Sequence, residues 1–187
     1  MIKTLYPKFQ EWSSNGSIFI FSDTHFEDED CKLMDPNWVS PEEQISILKS
    51  YIYKSDTLIH LGDVGNPEWM NEIPGYKVLI TGNHDIPITK YKPYFDDMYT
   101  GPLFIAEKIV LSHEPIECLN FCMNIHGHNH NKAEKNDMFH YNVAANVHEY
   151  KPLHLGDFIR QGYLSHITSL HRQTIDKATD KSLKLGD

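Results

Sequence analysis

The amino-acid sequence predicts an α/β fold, and three observations support this prediction. In the first half of the chain, short apolar runs alternate with helical segments. Each of those runs ends on polar residues, as parallel strands do in open α/β sheets. In the second half, short apolar runs follow one another through short links, with no long helix between them. We therefore expect parallel strands first, and then a mostly antiparallel group that packs on them.

The first half of the chain alternates between strands and helices. Ile18–Phe21 is apolar throughout, which is typical of a strand that is buried on both faces. A helix is predicted from Pro41 to Lys54, because Ser40 can cap its first turn and apolar residues follow at helical spacing. Further runs predict a strand, a short helix or turn, and another strand, at Asp56–Leu61, Pro67–Ile73 and Tyr76–Ile80.

The second half of the chain has a different pattern. Its apolar runs predict the strands Leu103–Ala106, Lys108–Leu111, Phe121–His126 and His140–Val147. Apolar residues three positions apart predict a closing helix over Gly156–Arg172, although Gly162 weakens a helix by about 1 kcal/mol relative to alanine. The polar segment Asp176–Asp187 is expected to fray.

The bulk composition indicates one globular domain over residues 1–187. The chain is 40% hydrophobic and 23% charged, which is ordinary for a soluble domain with a sizeable core. No apolar run approaches the roughly 20 residues of a membrane helix, and the N-terminal stretch lacks the apolar region of a signal peptide. The odd set of Cys31, Cys118 and Cys122 indicates reduced structural thiols. We therefore expect a cytoplasmic protein without a membrane segment.

The balance of charges argues against the binding of long nucleic acid. The formal net charge is −9, and the only arginines are Arg160 and Arg172, whereas proteins that grip DNA or RNA non-specifically display a basic stripe. The acidic run Glu27–Asp30 would repel a polyanion further. Histidine is unusually frequent, with twelve residues in the chain, and this frequency indicates a metal site.

Polar motifs follow five of the predicted strands. They are Asp23-x-His25, Gly62-Asp63, Gly82-Asn83-His84-Asp85, Ser112-His113 and Gly127-His128-Asn129-His130. Ligand sites of open α/β folds lie at strand ends, and side chains two residues apart on an extended segment point to the same side. The glycines allow sharp turns where a side chain would clash. Each motif alone is a weak signal, but all five in this order indicate a common metal site.

The five motifs together resemble the signature of the calcineurin-like metallophosphoesterases: D-x-H, G-D, G-N-H-[D/E], H and G-H-x-H. The resemblance covers Ile18–His130, and the segment Asn142–Pro152 and the chain length are similar to small single-domain bacterial and phage members. This resemblance implies a β-sandwich of two mixed sheets flanked by helices, in a four-layer α/β/β/α order. It also implies two bound metal ions and the hydrolysis of phosphate esters.

The resemblance implies a role for each motif residue. The first ion would be held by Asp23, His25, Asp63 and His130, and the second by the bridging Asp63 with Asn83, His113 and His128. Mixed carboxylate and imidazole ligands suit Mn, Fe, Zn or Ni, and Mn is favoured. The ions would acidify water to supply the attacking hydroxide and would offset charge on the phosphoryl oxygens, while His84 would protonate the leaving oxygen.

This chain departs from the pattern of the protein-phosphatase branch of the family. Asn66 stands where that branch has a carboxylate that pairs with the catalytic histidine, and both phosphate-binding arginines are missing. These departures argue against a phosphoprotein phosphatase. They also leave two roles open for Asp85, which is counted here among the catalytic residues: it could orient His84, or it could cap the helical turn that follows.

The sequence therefore predicts a dinuclear metal-dependent phosphoesterase that acts on small phosphate esters, with diesters favoured and nucleotides within the expected range. Two alternatives stay open: a metal-dependent nuclease of the same superfamily, and a scaffold that keeps the fold without catalysis. His60 and His126 lie inside apolar runs and are expected to be buried structural residues or to orient a ligand. Asn129 is expected either to contact substrate or to close its loop.

Overall fold

The structure, a computed structural model, describes residues 3–117, 120–131 and 136–179. Its strands are β1 (Lys3–Thr4), β2 (Ile18–Phe21), β3 (Thr57–His60), β4 (Tyr76–Thr81), β5 (Asp97–Thr100), β6 (Leu103–Ala106), β7 (Ile109–Leu111), β8 (Met123–His126), β9 (His140–Asn142) and β10 (Leu153–His154). Its α-helices are α1 (Tyr6–Trp12), α2 (Cys31–Met34), α3 (Pro41–Tyr51), α4 (Leu155–Arg160) and α5 (Leu170–Thr179). Short 3-10 helices cover Pro67–Glu72, Ile88–Lys90 and Ala145–His148.

The first half of the chain contributes most of a five-stranded sheet in the order β10-β2-β3-β4-β5. Strands β2, β3 and β4 are parallel neighbours, as predicted, and β5, which was not predicted from the sequence, is parallel to β4. The edge strand β10 runs antiparallel to β2. Phe21 lies beside His60, and His60 lies beside Leu79. The carboxyl ends of three successive strands are therefore side by side, which brings the motifs that follow them to one edge.

Helix α3 covers one face of this sheet and begins where the sequence predicts. The Ser40 hydroxyl accepts a hydrogen bond from the Glu43 backbone N–H at 3.3 Å, which satisfies one of the free amides of the first turn. The apolar positions of the helix share one buried cluster with strand residues, namely Ile45, Leu48, Ile52, Phe19, Phe21, Leu58 and Leu79. Burial of this apolar side against the sheet stabilises the helix.

The second sheet has the order β1-β6-β7-β8-β9, and the prediction that it would be mostly antiparallel is wrong. The pair β6–β7 is antiparallel because a tight turn joins the two strands, whereas β1–β6, β7–β8 and β8–β9 are parallel. Segments 112–122 and 127–139 connect the parallel strands β7, β8 and β9. These segments of 11 and 13 residues are long enough to return the chain to the same end of the sheet.

Apolar side chains from both sheets share one core cluster. Ile20, Ile59 and Ile80 contribute from the first sheet, and Leu111 and Ile125 contribute from the second. All five are at most 1% exposed. The molecule therefore contains two five-stranded mixed sheets that pack on each other, together with helices. The four-layer order that the resemblance implies stays a prediction.

The prediction of one closing helix over residues 156–172 is wrong. The chain forms two separate helices, α4 and α5, in this region. Gly162 adopts a φ of 86°, a left-handed conformation that ends a helix, and its N–H donates to the Ile159 carbonyl at 3.1 Å. Residues 180–187 of the predicted polar tail lie outside the described residues.

Two further expectations concern thiols and membranes. Cys31 and Cys122 are buried and unpaired, as predicted, and Cys118 lies outside the described residues. Within the described ranges, no helix combines the length and the apolar character that crossing a membrane requires.

Leu48→Ala is expected to destabilise the protein by about 2–5 kcal/mol, because the side chain is fully buried and its removal leaves a cavity. Leu33→Ala is the matched control. Leu33 is 83% exposed, so its truncation should change the free energy of unfolding by less than about 0.5 kcal/mol. Equilibrium unfolding in urea measures both values, and equal losses would contradict the assigned core.

Candidate metal centre

The loops that follow five strands converge where the two sheets meet. The loops after β2, β3 and β4 belong to the first sheet, and the loops after β7 and β8 belong to the second. The structure brings all the predicted ligands into this region, as two clusters that share one carboxylate. These residues are Asp23, His25, Asp63, Asn83, His113, His128 and His130.

The first cluster consists of Asp23, His25 and His130, whose potential ligand atoms all lie within 4.8 Å of one another. The Asp23 Oδ1 atom lies 3.9 Å from His25 Nε2 and 3.7 Å from His130 Nε2. Within the described chain, Asp23 Oδ1 and His25 Nε2 are buried and have no hydrogen-bond partner. Buried polar atoms without partners are rare and costly, so these atoms fit a divalent cation placed among them.

The second cluster consists of Asp63, His113 and His128, and Asn83 adjoins it. The His113 Nε2 atom lies 3.2 Å from Asp63 Oδ2, 3.1 Å from His128 Nδ1 and 2.9 Å from Asn83 Oδ1. Two ring nitrogens, a carboxylate oxygen and an amide oxygen thus crowd around one point. This mixture of donors suits a divalent transition metal better than Mg or Ca.

Asp63 connects the two clusters. Its Oδ2 atom lies 3.2 Å from His113 Nε2 of the second cluster and 3.7 Å from His25 Nε2 of the first. Its Oδ1 atom accepts a hydrogen bond from the His84 backbone N–H at 2.9 Å. One carboxylate oxygen is therefore fixed by the backbone, and the other faces both clusters.

The backbone is strained where it presents the ligands. Asp23, His25, Asp63 and His128 have φ values of 59°, 43°, 56° and 66°. Residues other than glycine rarely adopt this left-handed conformation, which costs of order 1–3 kcal/mol at each position and persists where the surrounding structure enforces it. Such strain clusters at functional sites.

Two of the motif glycines are required by close packing against the ligands. A Cβ atom on Gly82 would lie 2.2 Å from Asp63 Oδ1, and one on Gly127 would lie 2.2 Å from Asp23 Oδ2. Neither distance is physically accessible, so any side chain at these positions would displace a carboxylate of the two clusters. The structure confirms the prediction that the glycines allow turns where a side chain would clash.

Hydrogen bonds from the Nδ1 atoms orient the rings of His25 and His113. His113 Nδ1 donates to the Leu61 carbonyl at 2.9 Å, and His25 Nδ1 donates to Asp28 Oδ2 at 3.1 Å. Each bond turns the Nε2 atom of the ring toward the clusters, which is the usual arrangement for histidines that bind metals. In the sequence, Asp28 belongs to the acidic run Glu27–Asp30, and its spacing of three residues from His25 is the available signal for this contact.

His130 is held in the same way by Asn146, which sequence reasoning missed. The Asn146 Oδ1 atom accepts from His130 Nδ1 at 3.0 Å, and its Nδ2 group donates to the His130 carbonyl at 3.1 Å and to Asp35 Oδ2 at 3.4 Å. Asn146 is 1% exposed. It therefore fixes both the ring and the backbone of His130, and it comes from a 3-10 helix within the segment Asn142–Pro152, whose resemblance to family members was the available signal.

The charges of Asp63 and His113 stabilise each other. Burial raises the pKa of Asp63, but the hydrogen bond and charge of His113 outweigh burial and lower the pKa to about 2. Burial lowers the pKa of His113, but its hydrogen bond with Asp63 and the charges of Asp23 and Asp63 raise the pKa to about 9. At neutral pH an incoming metal ion must displace a proton from His113, so ion binding should weaken as the pH falls.

His84 lies exposed at the edge of the first cluster. Its ring centroid lies 5.7 Å from that of His25, and its backbone N–H binds Asp63. Asn66 is engaged elsewhere, because its Nδ2 group donates to Glu27 Oε2 at 2.7 Å and its Oδ1 atom caps the 3-10 helix that follows. Asn66 therefore does not take over the orienting role of the carboxylate that this chain lacks.

Asp85 has neither of the two roles that the sequence left open. It is 1% exposed, and its oxygens accept hydrogen bonds from the backbone N–H groups of Gly82, Asp63 and Val64 at 2.9, 2.8 and 3.0 Å. Burial raises the pKa of the Tyr91 hydroxyl, and the adjacent Asp85 carboxylate raises it further. Asp85 thus clamps the β3 loop to the β4 loop, and the assignment of Asp85 as a catalytic residue is not supported by its contacts.

The buried histidines outside the clusters support the loops, as predicted. His60 Nδ1 accepts from the Gly62 N–H at 3.1 Å, and His60 Nε2 lies 3.1 Å from Thr24 Oγ1. Burial lowers the pKa of His60 to about 4 and keeps the ring neutral. His126 is also buried, and its Nδ1 donates to the Gly127 carbonyl at 2.8 Å. Asn129 closes its loop, since its Oδ1 atom accepts from the Asn131 N–H at 2.9 Å.

Asp85→Ala is expected to destabilise the protein by about 3 kcal/mol or more, because three backbone N–H groups lose a buried charged acceptor. Asp96→Ala is the matched control, because Asp96 accepts one exposed N–H, from Lys77, and its loss should cost about 1 kcal/mol or less. Urea unfolding monitored by tryptophan fluorescence measures both variants. A wild-type unfolding midpoint for Asp85→Ala would rule out the clamp.

No protein-family model matches this chain, and no curated protein matches it. Among solved structures, the crystal structure of a protein of unknown function from Aquifex aeolicus is similar, with a TM-score of 0.64 and 24% sequence identity over 78% of this chain and 98% of that chain. At this identity the likeness concerns the fold alone. Function must therefore be argued from the residues of the site.

Proposed function

We propose that this protein is a dinuclear metal-dependent phosphoesterase of the calcineurin-like type, which hydrolyses small phosphate esters and favours diesters. The observation that carries the proposal is the position of Asp63 Oδ2, 3.7 Å from His25 Nε2 and 3.2 Å from His113 Nε2. A carboxylate between two groups of imidazoles is the arrangement that a two-metal site needs. The motif order of the sequence supports the same family.

Two divalent transition-metal ions, drawn from Mn, Fe, Zn and Ni with Mn favoured, are the proposed cofactors. When bound, such ions supply positive charge for the phosphoryl oxygens and acidify water. The residues that would hold the first ion are Asp23, His25, Asp63 and His130, and those that would hold the second are Asp63, Asn83, His113 and His128.

His84 is the proposed general acid. It lies exposed beside His25, and the hydrogen bond from its N–H to Asp63 fixes its backbone at the site. An imidazole can carry a proton near neutral pH and deliver it to an oxygen within hydrogen-bond reach. The position of the ring supports the proposal that His84 protonates the leaving alcohol of a phosphate ester.

The acidic surroundings support a small substrate over a long nucleic acid. Asp28 lies against His25, Glu27 accepts hydrogen bonds from Asn66 and Trp69, and the formal net charge of the chain is −9. The negative electrostatic potential of these groups disfavours the binding of an extended polyanion. The nuclease alternative therefore ranks below a small-molecule phosphodiesterase. A cytoplasmic location, which unpaired cysteines favour, is part of the proposal.

Asp63→Asn is expected to abolish tight binding of both ions, because an amide does not supply the negative charge that the clusters share. After loading with Mn and gel filtration, the wild-type protein should retain about two ions per chain and the variant fewer than about one. Asp157→Asn, which changes an exposed carboxylate of α4, is the control and should retain the wild-type number. Elemental analysis gives the stoichiometry, and two retained ions in Asp63→Asn would contradict the shared-carboxylate assignment.

His84→Ala is expected to slow hydrolysis according to the leaving group. For a dialkyl phosphate, whose poor leaving alcohol needs a proton, kcat should fall by about 100-fold or more, whereas for bis(4-nitrophenyl) phosphate the loss should stay below about tenfold. His166→Ala, at an exposed histidine before α5, is the control. Equal losses for both substrates would exclude His84 as the proton donor, and no turnover of either ester by the Mn-loaded wild type would refute the proposed function.

A further inference from the structure

A cavity of about 610 Å³ opens beside the second cluster. Asn83 and His113, two of the proposed metal ligands, form part of its lining. The volume lies in the range of small-molecule sites and is larger than a phosphate alone requires. Because the cavity adjoins the metal centre, it can receive an organic group attached to a phosphate that is bound there.

A buried amide holds one wall of this cavity. Asn124 is fully buried, its Oδ1 atom accepts from the Ile116 N–H at 2.7 Å, and its Nδ2 group donates to Ser112 Oγ at 2.9 Å. Ser112 donates in turn to the Glu114 carbonyl at 2.6 Å, and His140 Nε2 donates to the Ile116 carbonyl at 3.0 Å. The wall is therefore positioned before a ligand arrives, which lowers the entropic cost of binding.

The residues that line the cavity are acidic and apolar in part. Its described residues include the exposed carboxylates of Glu114 and Glu117 but neither lysine nor arginine. Pro102, Pro115 and Ile116 add apolar surface. An anionic group in this cavity would be repelled, whereas hydroxyl or ammonium groups would find acceptors.

The cavity adjoins the second cluster, whereas the His84 ring lies beside His25 of the first cluster. His84 is not among the described residues that line the cavity, and its ring approaches His25 of the first cluster. The leaving oxygen, which His84 would protonate, would therefore lie on the side of the first cluster, and the cavity borders the second. A phosphodiester has a second substituent, and the cavity is where that substituent can lie.

We propose that the cavity binds the retained alcohol of a phosphodiester and selects uncharged or cationic alcohols over anionic ones; this inference rests on the proposed phosphoesterase function. In the reaction, a water oxygen forms a bond to phosphorus and the bond from phosphorus to the leaving oxygen breaks. The leaving oxygen takes a proton from His84, and the water loses one to solvent. The products are a free alcohol and the phosphomonoester of the retained alcohol, which still occupies the cavity.

The test uses three diesters that share a 4-nitrophenyl leaving group and differ only in the retained alcohol. The 3-aminopropyl, 3-hydroxypropyl and 2-carboxyethyl 4-nitrophenyl phosphates carry a positive, a neutral and a negative end at nearly equal length. With Mn-loaded protein, kcat/KM for the amine and the alcohol should exceed that for the carboxylate by about tenfold, the effect of one or two nearby charges.

Glu114→Gln combined with Glu117→Gln should reduce this preference to about threefold or less. Glu107→Gln is the matched control, because Glu107 lies in the turn at the far end of the β6–β7 hairpin, and it should keep the wild-type preference. Ile116→Trp should lower kcat/KM for the diesters and leave 4-nitrophenyl phosphate, which has no retained alcohol, unaffected. An unchanged preference in the double variant overturns the proposal.

A binding measurement separates this proposal from the proposed function. If the wild type hydrolyses none of the esters, the phosphoesterase function fails, and calorimetric titration with 3-aminopropyl phosphate and 2-carboxyethyl phosphate then tests the cavity alone. Tighter binding of the amine in the wild type, lost in the double variant and kept in Glu107→Gln, supports the cavity's selectivity. Equal affinities in the wild type overturn it.

Discussion

The rest of the site depends on how the Asp63 carboxylate is held. One of its oxygens accepts the His84 N–H, and the other faces the imidazoles of His25 and His113. The backbone N–H of Asp63 is bound in turn by Asp85, which also binds the Gly82 N–H. Hydrogen bonds therefore join the loops after β3 and β4 around the Asp63 carboxylate. These bonds set the geometry of the candidate centre.

The two ligand clusters are built across the interface between the sheets. Asp23 and His25 come from the first sheet and meet His130 from the second, while Asp63 from the first meets His113 and His128 from the second. Each cluster thus exists only when the sheets are packed on each other. A metal ion that binds the packed arrangement and not the unfolded chain would add its binding energy to the stability of the fold.

Hydrogen bonds from the loops to the clustered histidines limit how far these side chains can rearrange. The carbonyl of Leu61 and the side chains of Asp28 and Asn146 hold the outer nitrogens of the three cluster histidines whose Nε2 atoms face the centre. The strained φ values at the ligands and the forbidden Cβ positions at Gly82 and Gly127 add to this rigidity. A preorganised donor set loses little energy to rearrangement when it binds charge.

The sequence by itself determined the strands that carry the five polar motifs, the N-cap of α3 and the motif residues, because these features are local: apolar runs, a Ser-Pro-Glu start, and glycines beside polar side chains. The tertiary structure decided the rest. Parallel pairing of β7, β8 and β9 depends on the path of long connections, and the short edge elements β1, β5 and β10 form only through their neighbours. The clamp by Asp85 and the bond from His130 to Asn146 join loops that no sequence spacing connects. Sequence patterns record which donors are present, whereas only the packing of two sheets decides which backbone amides and rings those donors meet.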